Sequence, residues 1–292
     1  MTNFSIDLDA FADPIVVYHD DCPDGLTAFW VCLQVWPDAE AYPARYDVDP
    51  DYERLAGRNV LIVDFSWKRA AMMNIIDSAA SILVLDHHKS AESELAGLRG
   101  CFFDMNRSGC RLAWDFLFSG QRPPPIVEYT EDRDLWRWKL PLSREINAAF
   151  ASYPLTLEWR EKLAGVTSVD GMALFANEGE AIIRYRQQLI DDVLRKGVPL
   201  KHIGGHRVPC VASPFRELVS DLGHGLSVGY PFACVYFDTQ DNKRLFSLRS
   251  DEKGLDVSEI ARSYGGGGHY HAAGFEMVSP VEFRAEDGTA HV

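Results

Sequence analysis

Apolar residues gather in short continuous runs over the first half of the chain: "PIVVYH" (14–19), "NVLIVD" (59–64), "SILVLD" (81–86) and "CFFD" (101–104). Runs of this length that do not alternate with polar residues predict strands buried on both faces, as in a parallel sheet. Residues 25–36 and 67–80 read as helices, the second being the crossover that two parallel strands require. Ser108 is placed to cap a helix over 109–119. "RPPPI" (122–126) breaks the chain ahead of another helical stretch.

Residues 156–196 read as helical, with Gly197 and Pro199 ending that region. The pattern then changes. "HRVPCVA", "FACVYFD" and "KRLFSLRS" read as strands, with "TQDNK" as a hairpin turn. A helix over 256–264, the run "GGGGH" and a last strand at "AGFEM" follow. The expected fold class is α/β. A parallel-sheet domain over 1–195 includes a helical connector, and a smaller α/β domain with a mixed sheet covers 196–292. There is no internal repeat.

Composition narrows the class. The chain has 292 residues, 47% hydrophobic and 25% charged, which suits two domains. The apolar runs are too short to cross a bilayer, and "MTNFSIDLDAFADP" lacks the pattern of a secretory signal. Six scattered cysteines form no C-x-x-C pair and read as reduced thiols. Together these predict a cytoplasmic protein without a membrane partner. The net charge of −14 argues against a stable hold on long nucleic acid. It leaves room for a small anionic substrate, because bound divalent cations invert the local potential.

The chemistry lies where the apolar runs end. His19, Asp64 and Asp86 each close one, and in a parallel sheet those ends share one edge, outside which ligands bind. His87 and His88 follow at once, and Asp24 lies in the first turn. Asp132 and Asp134, in "YTEDRDLW", are further candidates. One strand-end Asp is commonly a cap; two Asp and a His ending strands in line, with two more His directly after Asp86, point to a divalent-metal site. Oxygen-rich ligands with a few imidazoles suit Mn²⁺ or Mg²⁺ better than structural zinc. The crowded charge of "HDDCPDG" is tolerable once cations lie among its carboxylates.

These motifs resemble the DHH phosphoesterase superfamily. "VLDHHKS" carries its Asp-His-His triplet, "YHDDCPDGLTA" looks like its first motif, "LIVDFS" its second and "EDRDLW" its fourth. "LFSLRS" followed by "GGGGHYHAAGF" resembles the DHH-associated C-terminal domain. The first motif, H-x-x-C-P-D-G, is similar to that of oligoribonuclease-like (nano-RNase-like) members.

The resemblance implies two divalent metal ions, usually Mn²⁺, with Mg²⁺ or another divalent ion as the alternative. It places His19, Cys22 and Asp64 at the first. Asp24, Asp64, His87 and Asp132 face the second, with Asp64 bridging. It gives His88 the substrate phosphate and Asp86 the orientation of His87. Many relatives have Asp in place of Cys22, one residue further from the His. Two readings of Cys22 therefore stand open: a thiolate ligand favouring softer metals, or packing, with Asp20 or Asp21 coordinating instead. In the second domain Arg249, Ser250, Gly267, Gly268 and His269 form the expected phosphate and nucleotide grip. Trp136 and Trp138 either stack a base or pack helices.

The implied activity is metal-dependent hydrolysis of short oligoribonucleotides to nucleoside monophosphates. The rival activities are a phosphatase of nucleotide bisphosphates such as pAp and a linear or cyclic dinucleotide phosphodiesterase. The rival outside enzymes is a nucleotide-sensing binding protein.

Overall fold

The computed structural model describes residues 11–46 and 48–279; most of the N-terminal stretch that lacks a secretory pattern lies outside them. The chain divides into two units, between Arg184 and Tyr185. The first unit runs β1 (Ile15–His19), α1 (Pro23–Leu33), β2 (Glu40–Ala44), α2 (Tyr52–Leu55), β3 (Asn59–Val63), α3 (Arg69–Ser78), β4 (Ser81–Asp86), α4 (Lys89–Leu95), β5 (Cys101–Phe103), α5 (Gly109–Leu117), α6 (Pro125–Asp134), α7 (Ser143–Phe150) and α8 (Leu157–Ala164). The long helix α9 (Val169–Arg195) carries the boundary.

The five strands form one parallel sheet in the order β2-β1-β3-β4-β5. Successive side chains point to opposite faces, and both faces are covered. Val16, Leu61, Val63, Leu83 and Leu85 pack with Phe29, Cys110 and Ile126 on one side. Ile15, Val17, Val60, Ile62 and Val84 pack with Met72, Ile75 and Leu95 on the other. That double burial is why the apolar runs are continuous. The edge strand β2 escapes the pattern because "EAYPA" holds Pro43, which only an edge tolerates. The helical region expected over 156–196 is two helices, parted at residues 165–168 by "GVTS".

The second unit continues from α9 with β6 (Leu200–Ile203), β7 (His206–Ala212), α10 (Val219–Ser227), β8 (Ala233–Asp238), β9 (Lys243–Arg249), α11 (Val257–Ser263), β10 (Gly267–Gly268) and β11 (Ala272–Val278). Its six-stranded sheet has the order β10-β11-β9-β8-β7-β6 and is mixed, since only β7 and β8 pair in parallel. Phe232, Cys234, Leu248, Val257 and Phe275 fill its core. "TQDNK" is the expected hairpin turn, with Thr239 N donating to Lys243 O. "GGGGH" leads into a second hairpin: Gly267 and Gly268 pair with Gly274 and Ala273. The predicted α/β class, a parallel sheet followed by a mixed one, is the fold observed. Among the described residues no helix is long and apolar enough to cross a membrane.

Candidate metal centre

Register sets the site. Tyr18 lies opposite Val63, and Val63 opposite Leu85. The residues one step on, His19, Asp64 and Asp86, therefore form a row along the carboxyl edge of the sheet. The strand order reverses direction between β1 and β3, and a crevice opens at such a switch point. Asp64 leaves β3 in the left-handed region (φ 55°), a strained conformation for a non-glycine residue. Two glycines let the surrounding backbone close in. A Cβ on Gly25 would lie 2.3 Å from His19 O, and one on Gly109 2.3 Å from Asp64 Cβ.

The polar atoms converge in two groups around Asp64, itself 1% exposed. On one side, His19 Nδ1 lies 3.6 Å from Asp64 Oδ2, which also accepts from Cys22 Sγ at 3.4 Å. On the other, His87 Nε2 lies 3.0 Å from Asp64 Oδ1, 3.6 Å from Asp24 Oδ2 and 3.5 Å from Asp134 Oδ2. Candidate ligand atoms of His19, Cys22 and Asp64 fall within 4.8 Å of one another, as do those of Asp24, His87 and Asp134. Asp134 Oδ2 is sealed from solvent yet receives no hydrogen bond. A buried carboxylate oxygen left bare among other carboxylates fits a cation. Asp24 is fixed by the start of α5, accepting from Gly109 N at 2.5 Å and Cys110 N at 3.1 Å.

Three sequence expectations meet this geometry differently. Asp86 orients His88, not His87. Its Oδ1 meets His88 Nδ1 at 2.7 Å and accepts from both following backbone amides, while Oδ2 accepts from Ser66 Oγ at 2.7 Å. Asp132 is turned away from the cluster. Its carboxylate accepts from Lys139 N and Leu140 N at 3.0 and 3.2 Å, tying down the loop after α6. Two residues on a helix are about 200° apart, so only one of Asp132 and Asp134 can face the site. The third concerns Cys22. The alternative Asp20 pairs with Arg45 at 2.7 Å, and Asp21 is exposed. The thiol is what the fold brings to Asp64. Trp136 and Trp138 pack edge to face at 4.9 Å, with Arg144 of α7 over Trp138.

In the second unit Arg249 lies opposite Ala272 of β11, so Arg249 and Gly268 flank the same strand. Arg249 Nη2 donates to Ser220 Oγ at 3.1 Å, and the buried Ser250 bonds His271 Nδ1 at 2.9 Å.

Charge is unevenly shared in the first unit. Burial, then Asp64 and Asp134, pushes the Asp24 carboxyl well above its ordinary range. Burial works against the Asp64 carboxylate, but His19 and His87 hold it well below. Burial likewise opposes a charge on His87, yet Asp134, Asp64 and Asp24 raise it to about 10. The metal-free pocket thus keeps a proton on His87, which a cation bound there must displace. Below that pKa, Mn²⁺ affinity is expected to rise at least about tenfold per pH unit. Calorimetric titration between pH 6.5 and 8.5 checks this, and a pH-independent Kd would remove His87 from the ligands. Burial, with Asp64 and Asp24, also pushes up the Cys22 thiol. If Cys22 binds as thiolate, Cys22→Ser flattens the pH slope by one further proton; an unchanged slope makes the thiol a bystander.

Residues 216–285 match the DHHA1 domain family. The chain is 26% identical over 282 residues to Uncharacterized protein R106 of Acanthamoeba polyphaga mimivirus, covering 89% of this chain and 66% of that protein. It is 24% identical over 224 residues to Oligoribonuclease NrnB of Bacillus subtilis (strain 168), covering 70% and 55%. The chain thus spans less than two thirds of the length of either relative. Among solved structures, RecJ of Thermus thermophilus in complex with Mn²⁺ superposes with a TM-score of 0.50 at 18% identity, over 90% of this chain and 49% of that one. Residues 216–285 thus resemble a DHHA1 domain, the fold is shared with RecJ, and the ordered motifs on the carboxyl edge of the parallel sheet make the chain similar to the DHH superfamily of phosphoesterases.

Proposed function

We propose that the protein is a metal-dependent phosphodiesterase that hydrolyses short oligoribonucleotides to nucleoside monophosphates. The observation that carries this reading is Asp64, whose two oxygens serve two separate groups of candidate ligands. Two divalent cations fit there, one held by His19, Cys22 and Asp64, the other by Asp24, Asp64, His87 and Asp134. When bound, they would supply water activation and offset phosphate charge.

This chain's own groups do the rest. Asp86 holds His88 by Nδ1 and, against burial, favours its imidazolium form, whose Nε2–H lies on the opposite edge of the ring and can donate to a phosphate oxygen. Ser66 and two backbone amides fix Asp86 in turn, so the imidazole is set before substrate arrives. Arg249, Ser250 and the Gly267–Gly268–His269 segment supply the second unit's contacts to the nucleotide. The similarity to an oligoribonuclease supports the substrate class. So does the charge of −14, which discourages long polyanions.

The test is a panel assayed with Mn²⁺: pAp, pApA, cyclic dinucleotides, and RNA of increasing length. Fragments of about two to five nucleotides are expected to exceed long RNA in kcat/KM by about tenfold or more. A rate that stays flat or rises with length would overturn the short-substrate reading. Preference for pAp or for a cyclic dinucleotide would reassign the substrate.

A further inference from the structure

We propose that Arg107, Arg111 and Arg137 form a phosphate-binding subsite beside the metal centre, taking the phosphate next to the one being cleaved. The inference rests on the phosphodiesterase reading above and adds where the neighbouring nucleotide is held.

The three arginines come from segments that already build the centre. Arg107 and Arg111 stand two residues either side of Gly109, whose amide binds Asp24 and whose Cα lies against Asp64. Arg137 follows Asp134 by three residues. Their shared partner, Glu131, precedes Asp134 by three residues on the same helix, about one turn away.

Their charges are incompletely matched. Three guanidiniums, each with five N–H donors, face two carboxylates. Asp115 takes Arg111 at 2.8 Å and Arg107 at 3.1 Å. Glu131 Oε2 takes Arg111 at 3.3 Å. Glu131 Oε1 is approached by Arg107 at 3.8 Å and Arg137 at 3.7 Å, too far for a hydrogen bond, and it accepts none although it is buried. Two guanidiniums therefore converge on one point without bonding there. Arg107, Arg111 and Arg137 remain 34%, 21% and 31% exposed, so solvent reaches all three. In a chain of net charge −14, a surplus cation beside a carboxylate-rich centre is unexpected.

The loop that carries Arg137 is strained. Trp136 and Trp138, on either side, both lie at φ 53°. Asp132 holds the conformation through Lys139 N and Leu140 N, and Arg137 Nη2 donates to Asn106 O at 2.5 Å. Such strain persists only where surrounding bonds enforce it. Here it turns Arg137 toward Arg107. A phosphate, with its terminal oxygens, matches planar guanidinium forks better than a single carboxylate does. Glu131 acts as the resident anion that substrate displaces.

The alternative is a purely structural latch joining α5 to α6, and the two roles predict opposite signs at Glu131. KM is measured with Mn²⁺ for pApA, which has a second phosphate, and for bis(p-nitrophenyl) phosphate, which has none. Arg107→Ala and Arg137→Ala should each raise KM for pApA by about tenfold and shift the one-phosphate probe much less. Glu131→Gln should lower KM for pApA, because the competing anion is gone. Arg107→Lys keeps charge without the fork and should fall between wild type and Arg107→Ala, guarding against a folding defect. Equal losses on both probes, or a Glu131→Gln that weakens pApA as the arginine variants do, would overturn the subsite. If the wild type hydrolyses neither compound, the phosphodiesterase reading fails instead. Calorimetric binding of pApA to the same variants then still decides the subsite by the same signs.

Discussion

Asp64→Ala is expected to lower kcat/KM for a dinucleotide by about a thousandfold or more, roughly 4 kcal/mol of transition-state stabilisation. Among the described residues, Asp64 is the one side chain in contact with both ligand groups, through Oδ2 to His19 and Cys22 and through Oδ1 to His87. Every other carboxylate in the cluster serves one group, so its loss leaves the other intact. Removing Asp64 also takes away the partner 3.0 Å from His87 Nε2 and leaves Asp24 and Asp134 close together with less cation between them. Chelating the metal from wild type should reach the same floor, and Mn²⁺ should restore wild type but not the variant. Alanine at φ 55° is strained, so Asp64→Asn is the companion variant, since asparagine tolerates that region. Metal content by elemental analysis and Tm separate lost ligation from lost folding. Near-normal turnover with normal metal content would remove Asp64 from the bridging position.

Much of this site is legible in the chain because parallel sheets leave little choice. A strand buried on both faces must be apolar throughout, so the first polar residue after it marks the edge. His19, Asp64 and Asp86 are such residues, and pairing puts them in one row. Contacts across long stretches of chain are not legible. Gly109 and Cys110 reach Asp24 from 85 and 86 residues away, and only tertiary packing sets that distance. Fine angles are hidden too. "DHH" says that two imidazoles follow a carboxylate, but not that the backbone turns so that Asp86 takes the second ring. β2 is masked by its proline, and β10 is only two residues long. The two groups of aspartates differ for a related reason: continuous apolar strands announce their ends, whereas at the end of α6 two acids stand two residues apart, about 200° around the helix, and only the helix phase decides which faces inward.

That phase gives the second prediction, a contrast between Asp134→Asn and Asp132→Asn. Asp134→Asn should lower kcat/KM by about a hundredfold and weaken metal binding beside His87. The same change should leave the metal-free protein as stable as wild type or more so. The Asp134 carboxyl is pushed upward first by burial and then, despite His87, by Asp64, so at neutral pH its charge costs folding energy that the amide does not. Asp132→Asn should act the other way round. Its two oxygens each accept one backbone amide, from Lys139 and Leu140, and an amide side chain keeps only one good acceptor. A loss of about 1–2 kcal/mol follows, or a Tm lower by several degrees for a unit of this size. The loop carrying Trp136, Arg137 and Trp138 loosens, while the metal content stays near that of wild type. Thermal unfolding with and without Mn²⁺, set beside metal content and kcat/KM, reads both halves of the contrast. If Asp132→Asn loses metal while Asp134→Asn only loses Tm, Asp132 is the ligand in solution, and the last turn of α6 must be rotated from the arrangement described here.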